Sequence, residues 1–105
     1  MQEGLYSVEF KTDIGSGHGV VLLKDGQLRG GDASIFYTGD YSVDGDMITA
    51  QIETGRHSDQ VQSVFGVDKV NIDLRAKVTA SKIIGNGKAV QAPNMNMFAE
   101  LTFIR

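Results

Sequence analysis

A chain of 105 residues with a formal net charge of −3 and no cysteine reads as one domain, long enough to bury a core without disulfide staples. Its charges are spread without blocks, so it lacks the clustered Lys and Arg that displace counterions from phosphates, and direct nucleic-acid binding is not expected. Thirteen Gly against one Pro and an apolar share of 41% argue against disorder and for tight turns between short ordered segments.

The start, MQEGLYSVEF, has no basic region followed by an apolar run. The longest unbroken apolar stretch, Val20 to Leu23, is far too short to cross a bilayer, so no membrane span and a cytoplasmic location are expected. In LYSVEFKT, Tyr6, Val8 and Phe10 alternate with Ser7, Glu9 and Lys11, the period of a half-buried strand. Beyond the loop DIGSG, the segments HGVVLLK and QLRGG flank Asp25-Gly26, a pair that accepts the positive φ angles of a type I′ hairpin. SIFYTGDYSV and MITAQIET flank a second such pair, Asp44-Gly45, and are expected to be antiparallel neighbours.

The stretch GRHSDQVQSVFG breaks the alternation: Val61, Val64 and Phe65 recur at helical spacing behind a Ser58 cap. One short helix is therefore expected near residues 56–66, where it could plug one end of a barrel. From Lys69 the alternation returns, with Val70, Ile72, Leu74, Ala76 and Val78 against Asn71, Asp73, Arg75, Lys77 and Thr79. SKIIGNGKAV forms a seventh strand, in which Asn86-Gly87 reads either as a turn or as a glycine-weakened interior. The eighth, MNMFAELTFIR, carries Met95, Met97, Ala99, Leu101 and Phe103 on one face.

Eight short strands linked mostly by tight turns predict an all-β fold, an eight-stranded antiparallel up-and-down barrel, with a sandwich as the alternative. Such a barrel holds only side chains or one small ligand. Tyr6, Val8, Phe10, Ile72, Leu74, Met97, Leu101 and Phe103 are the expected inner wall, serving as core or as an apolar cavity. Met95 and Phe98 could join that wall, Met because it adapts to irregular ligand shapes.

No motif points to catalysis, a cofactor or a metal. His18 and His57 lie far apart without an HxH or HExxH companion. GSGHG is followed by a strand-like run, which offers no helix N-terminus to an anion, GNGKA lacks the rest of a phosphate loop, and no serine sits in a GxSxG elbow. A calcium loop would need a carboxylate twelve residues along, but counting from Asp40, Asp44 and Asp46 reaches Gln51, Gly55 and His57. An enzyme is not expected.

EGLYSVEF, then GHGVVLLKDGQLRGGD, then YTGDYSVDGDMI resemble the GrlR family of small cytoplasmic regulators of type III secretion genes. The resemblance runs from about Gly4 to Ile52 and continues loosely through the last strand. It implies a lipocalin-like barrel, a homodimer, and negative regulation by binding a helix-turn-helix transcription activator. An exposed Glu-Asp-Glu-Asp run matters in the founding members; here it falls on Val43, Asp44, Gly45 and Asp46, so the resemblance implies protein binding through Asp44 and Asp46. Losing two of four charges weakens the field that would steer a basic partner. Two functions follow as expectations: a regulatory protein-protein interaction module, or a lipocalin-like binder or sensor of a small apolar ligand or lipid.

Overall fold

A strand that alternates apolar and polar residues buries one face, and closing such strands on themselves removes the unpaired edges that an open sheet leaves. The chain does this with eight strands in sequence order. They are β1 (Gly4–Thr12), β2 (Gly15–Lys24), β3 (Gln27–Gly31), β4 (Ile35–Asp44), β5 (Met47–Arg56), β6 (Asn71–Val78), β7 (Lys82–Ala89) and β8 (Ala92–Phe103). The computed structural model describes residues 1–59 and 63–105. Each strand is antiparallel to its neighbour, and β1 pairs with β8, matching Tyr6 to Phe103 and Val8 to Leu101, so the sheet is a closed barrel.

The inside–outside alternation is cleanest on β6, where Ile72, Leu74 and Ala76 are buried and Asn71, Asp73, Arg75 and Lys77 are exposed. On the outer surface Lys82 meets Glu100 at 3.2 Å and the Gln51 amide donates to Asp73 at 2.9 Å. Such exposed pairs stabilise little, typically below about 1 kcal/mol, so burial holds the barrel.

The turns follow backbone chemistry. Asp25 and Gly26 take φ angles of 53° and 77° between the paired Lys24 and Gln27, as a type I′ hairpin requires. The second hairpin differs by one residue from the sequence expectation. Asp44 pairs with Met47, so the turn residues are Gly45 and Asp46, and of these only Gly45 has positive φ, at 63°. Glycine at the first position is the type II′ arrangement, which leaves Asp46 in ordinary backbone space. Asn86-Gly87 proves to be strand interior, and the chain turns instead at Val90-Gln91, between the paired Ala89 and Ala92. Gly30 has no room for a side chain, because a Cβ there would lie 2.0 Å from the Val20 carbonyl oxygen.

The short helix expected over 56–66 is not found among the described residues. No described residue is helical; Arg56 ends β5, and Ser63 to Gly66 form a turn in which the Gly66 N–H donates to the Ser63 carbonyl at 3.1 Å. The remaining part of that expectation, at Val61 and its neighbours, lies outside the described residues. At the described ends of that stretch, Arg56 Nη1 donates to the Ser58 carbonyl at 2.7 Å, and Val64 and Phe65 are buried in the barrel core. Among the described residues no helix is long and apolar enough to cross a membrane.

Leu22 and Leu23 test the facing of β2 directly. Leu23 is 1% exposed and Leu22 43%. Leu23→Ala should cost about 2–5 kcal/mol in urea denaturation, transfer plus cavity, whereas Leu22→Ala should stay within about 1 kcal/mol. Equal losses would mean a one-residue register slip, which turns every side chain to the other face.

Candidate functional site

The described part of the connection from β5 to β6, residues 57–59 and 63–70, lies at one end of the barrel. Val64 and Phe65 are buried there, and the Thr12 hydroxyl donates to the Val64 carbonyl. Thr54 Oγ1 donates to the Asp68 carbonyl at 2.7 Å and accepts from the Val70 N–H at 3.2 Å, so the hydroxyl serves both strands of the connection's base. Arg56 Nη2 lies 2.7 Å from Asp68 Oδ1, and this bond holds the Asp68 carboxyl below its usual range.

Beneath the connection lies a cavity of about 200 Å³. Its wall is apolar, with Val8, Phe10, Leu28, Leu74, Met97 and Leu101 among its lining, and Ser16, His18, Asp32 and Ser63 stand at its polar border. An apolar cavity of about 150 Å³ binds benzene, and drug-sized ligands need about 300–1,000 Å³. The space therefore suits one small molecule rather than a long lipid chain.

Asp32 organises the border. It follows Gly30 and Gly31 in the turn from β3 to β4, and its Oδ1 accepts the N–H groups of Ser34 at 2.9 Å and Ile35 at 2.8 Å. The side chain thus completes its own turn, as aspartates commonly do. Oδ2 accepts the Tyr37 hydroxyl, and His57 Nε2 lies 2.9 Å from the Asp32 carbonyl. Burial first, then the hydrogen bond and charge of Asp32, push the Tyr37 phenol well above its ordinary value, so it stays a neutral donor. Its ring meets Phe10 edge to face at 5.9 Å. Gly19 makes this placement possible, because a Cβ there would lie 2.9 Å from the Tyr37 oxygen and 2.7 Å from the Gly31 carbonyl.

The expected wall residues divide by depth. Val8, Phe10, Ile72, Leu74, Met97 and Leu101 line the cavity. Tyr6 and Phe103 do not: they pack edge to face at 5.3 Å farther along the barrel, where the Tyr6 hydroxyl donates to the Gln2 carbonyl. Met95 is packed against the core, while Phe98 lies on the outer face, 39% exposed. Asp44 and Asp46 are exposed at the far end of β4, a ten-residue strand that spans roughly 30 Å from the Asp32 turn. Asp46 has one ionic neighbour, Lys77 at 3.9 Å, and both side chains are 65% exposed, so the pairing is weak.

Asp32, Tyr37, Thr54 and Leu28 are among the site residues that sequence reasoning missed, whereas Val64 and Phe65 were expected at a barrel end. The available signal was local: Asp32 precedes Ser34 and Ile35 in a glycine-led turn, with a tyrosine two residues farther along one strand face. His18 contacts Glu9 Oε2 at 3.1 Å on the exposed border, and the described residues contain no group of three or more His, Cys, Asp or Glu placed to hold a metal ion. No family model matches the chain, and no curated protein matches it significantly.

The Asp32–Tyr37 contact should register in stability. Asp32→Ala leaves two backbone donors and a phenol without their acceptor and should cost about 1–3 kcal/mol, while Tyr37→Phe should cost about 0.5–1.5 kcal/mol. In denaturant titrations the double variant should lose less than the sum of the singles, because both remove the same bond. Strict additivity would show that the two groups do not interact in solution.

Proposed function

We propose that the protein is a regulatory protein-protein interaction module of the GrlR type, a negative regulator of type III secretion gene expression that binds a transcription activator. The β4–β5 hairpin is its docking tip. One observation carries this reading: Asp46 stands exposed on the two-residue turn and Asp44 on the strand end that enters it, with Val43 and Met47, each 42% exposed, beside them. Acids at the tip steer a basic partner toward it, and the apolar neighbours supply contact area once it arrives. A helix-turn-helix activator offers a suitable basic surface, because it must contact phosphates. A side chain at Gly45 would meet nothing within 4 Å, so the rest of the barrel does not screen the turn.

A homodimer in the cytoplasm belongs to the same proposal. Val20 and Leu22, exposed on the outer face of β2, are surface that a second copy would cover. The cavity favours a second reading, a lipocalin-like carrier or sensor of a small apolar ligand. The two are compatible in one molecule, since cavity and hairpin occupy opposite ends of β4.

The Asp44→Asn, Asp46→Asn double variant separates docking from turn formation. It should unfold like the parent, since Gly45 alone carries the positive φ. Against the activator recovered by affinity purification from the native cell, it should associate more slowly at low ionic strength. The difference should shrink as salt rises, since exposed charges are screened over about 8–10 Å near physiological ionic strength. Identical association rates at low salt would reduce the hairpin to a turn.

A further inference from the structure

We infer that the cavity takes a molecule with one ring-sized apolar body and one hydrogen-bond-donating head, neutral or cationic, the head on the Asp32 carboxylate and the body among Phe10, Leu28, Leu74 and Met97. This rests on the ligand reading of the cavity and adds the chemistry of what enters it. Volume sets the body: about 200 Å³ exceeds the benzene-binding scale by roughly one substituent. The wall offers that body apolar contact, with Met97 able to adjust to its outline.

Asp32 sets the head. An ionised carboxylate only accepts, through about four lone-pair sites. Two N–H groups occupy Oδ1 and the Tyr37 hydroxyl takes one site on Oδ2, which leaves acceptor capacity on an oxygen at the cavity border. A head without a donor gains nothing there. An anionic head brings like charge against Asp32, Arg56 is engaged with Asp68 at 2.7 Å, and His18 at the cavity border contacts Glu9 at 3.1 Å. The Tyr37 hydroxyl is already committed to Asp32, so it does not offer a donor to a carboxylate ligand either.

Four probes on the intact protein test this: toluene, benzyl alcohol, benzylamine and benzoate, titrated calorimetrically, with the Met97 methyl resonance reporting where they sit. Benzyl alcohol and benzylamine should bind at least about tenfold more tightly than toluene, the scale of one hydrogen bond to a charged acceptor, and benzoate should bind most weakly. Asp32→Asn should erase the advantage of benzylamine over toluene while leaving toluene within about twofold. If that variant does not fold, the ranking of the four probes on the parent protein decides by itself. Toluene binding with a flat ranking, or with benzoate tightest, overturns the assignment of the head and leaves the ligand reading standing. Failure of all four to bind, or shifts that leave Met97 untouched, overturns the ligand reading and this inference with it.

Discussion

The pairing of β1 with β8 is the contact on which the rest depends. It joins the two ends of the chain's strand order, from Tyr6↔Phe103 to Lys11↔Phe98, and converts a meander of hairpins into a tube. Every other strand contact links sequence neighbours, so local turns can form them early, while this one must first meet the loop-closure entropy of almost the whole chain. Closure also creates the interior. Before β8 docks on β1, Val8 and Leu101 share no wall, and neither a core nor a cavity exists between them.

Inside the tube, filling is uneven along the axis. Toward the β2–β3 hairpin the positions are large and fully covered, with Leu23 and Ile83 each 1% exposed. Toward the opposite end β2 turns Gly17 and Gly19 inward, and the Phe10 and Tyr37 rings occupy the room that those side chains would take. At this end a cavity of about 200 Å³ remains, lined by both rings and by Val64 and Phe65. The described residues of the β5–β6 connection are tied to the barrel through the Thr12 and Thr54 hydroxyls and the Arg56–Asp68 ion pair.

The two ends of β4 thus carry different chemistry. At one end Asp32 spends its carboxylate on two backbone donors and a buried phenol, facing an apolar space. At the other, Asp44 and Asp46 face solvent. Both kinds of aspartate arise from the glycine-rich stretch between Gly30 and Asp46, in which glycine permits the tight turns and aspartate stabilises or decorates them.

Period-2 alternation by itself determined the strands and their facing, because burying one side of a pleated chain writes the same pattern whatever the partner strand; β6, from Asn71 to Val78, is legible residue by residue. The Asp25-Gly26 hairpin was equally local, a matter of φ angles within two residues. The hairpin at Gly45 was legible only to within one position, since Asp-Gly and Gly-Asp turns share the same glycine and the pairing of Asp44 with Met47 chooses between them. Tertiary structure alone decided the rest. Val64 and Phe65 read as part of a helix face, yet they are buried in the barrel core within a turn. Phe103 reads as aromatic wall by its parity along β8, yet depth takes it away from the cavity to pack against Tyr6. Asp32 and His57 are 25 residues apart and meet only because the turn after β3 and the end of β5 lie at the same rim. Alternation specifies which face a residue occupies; its height along the barrel, and hence its membership of a site, is set by the closure and register of all eight strands together.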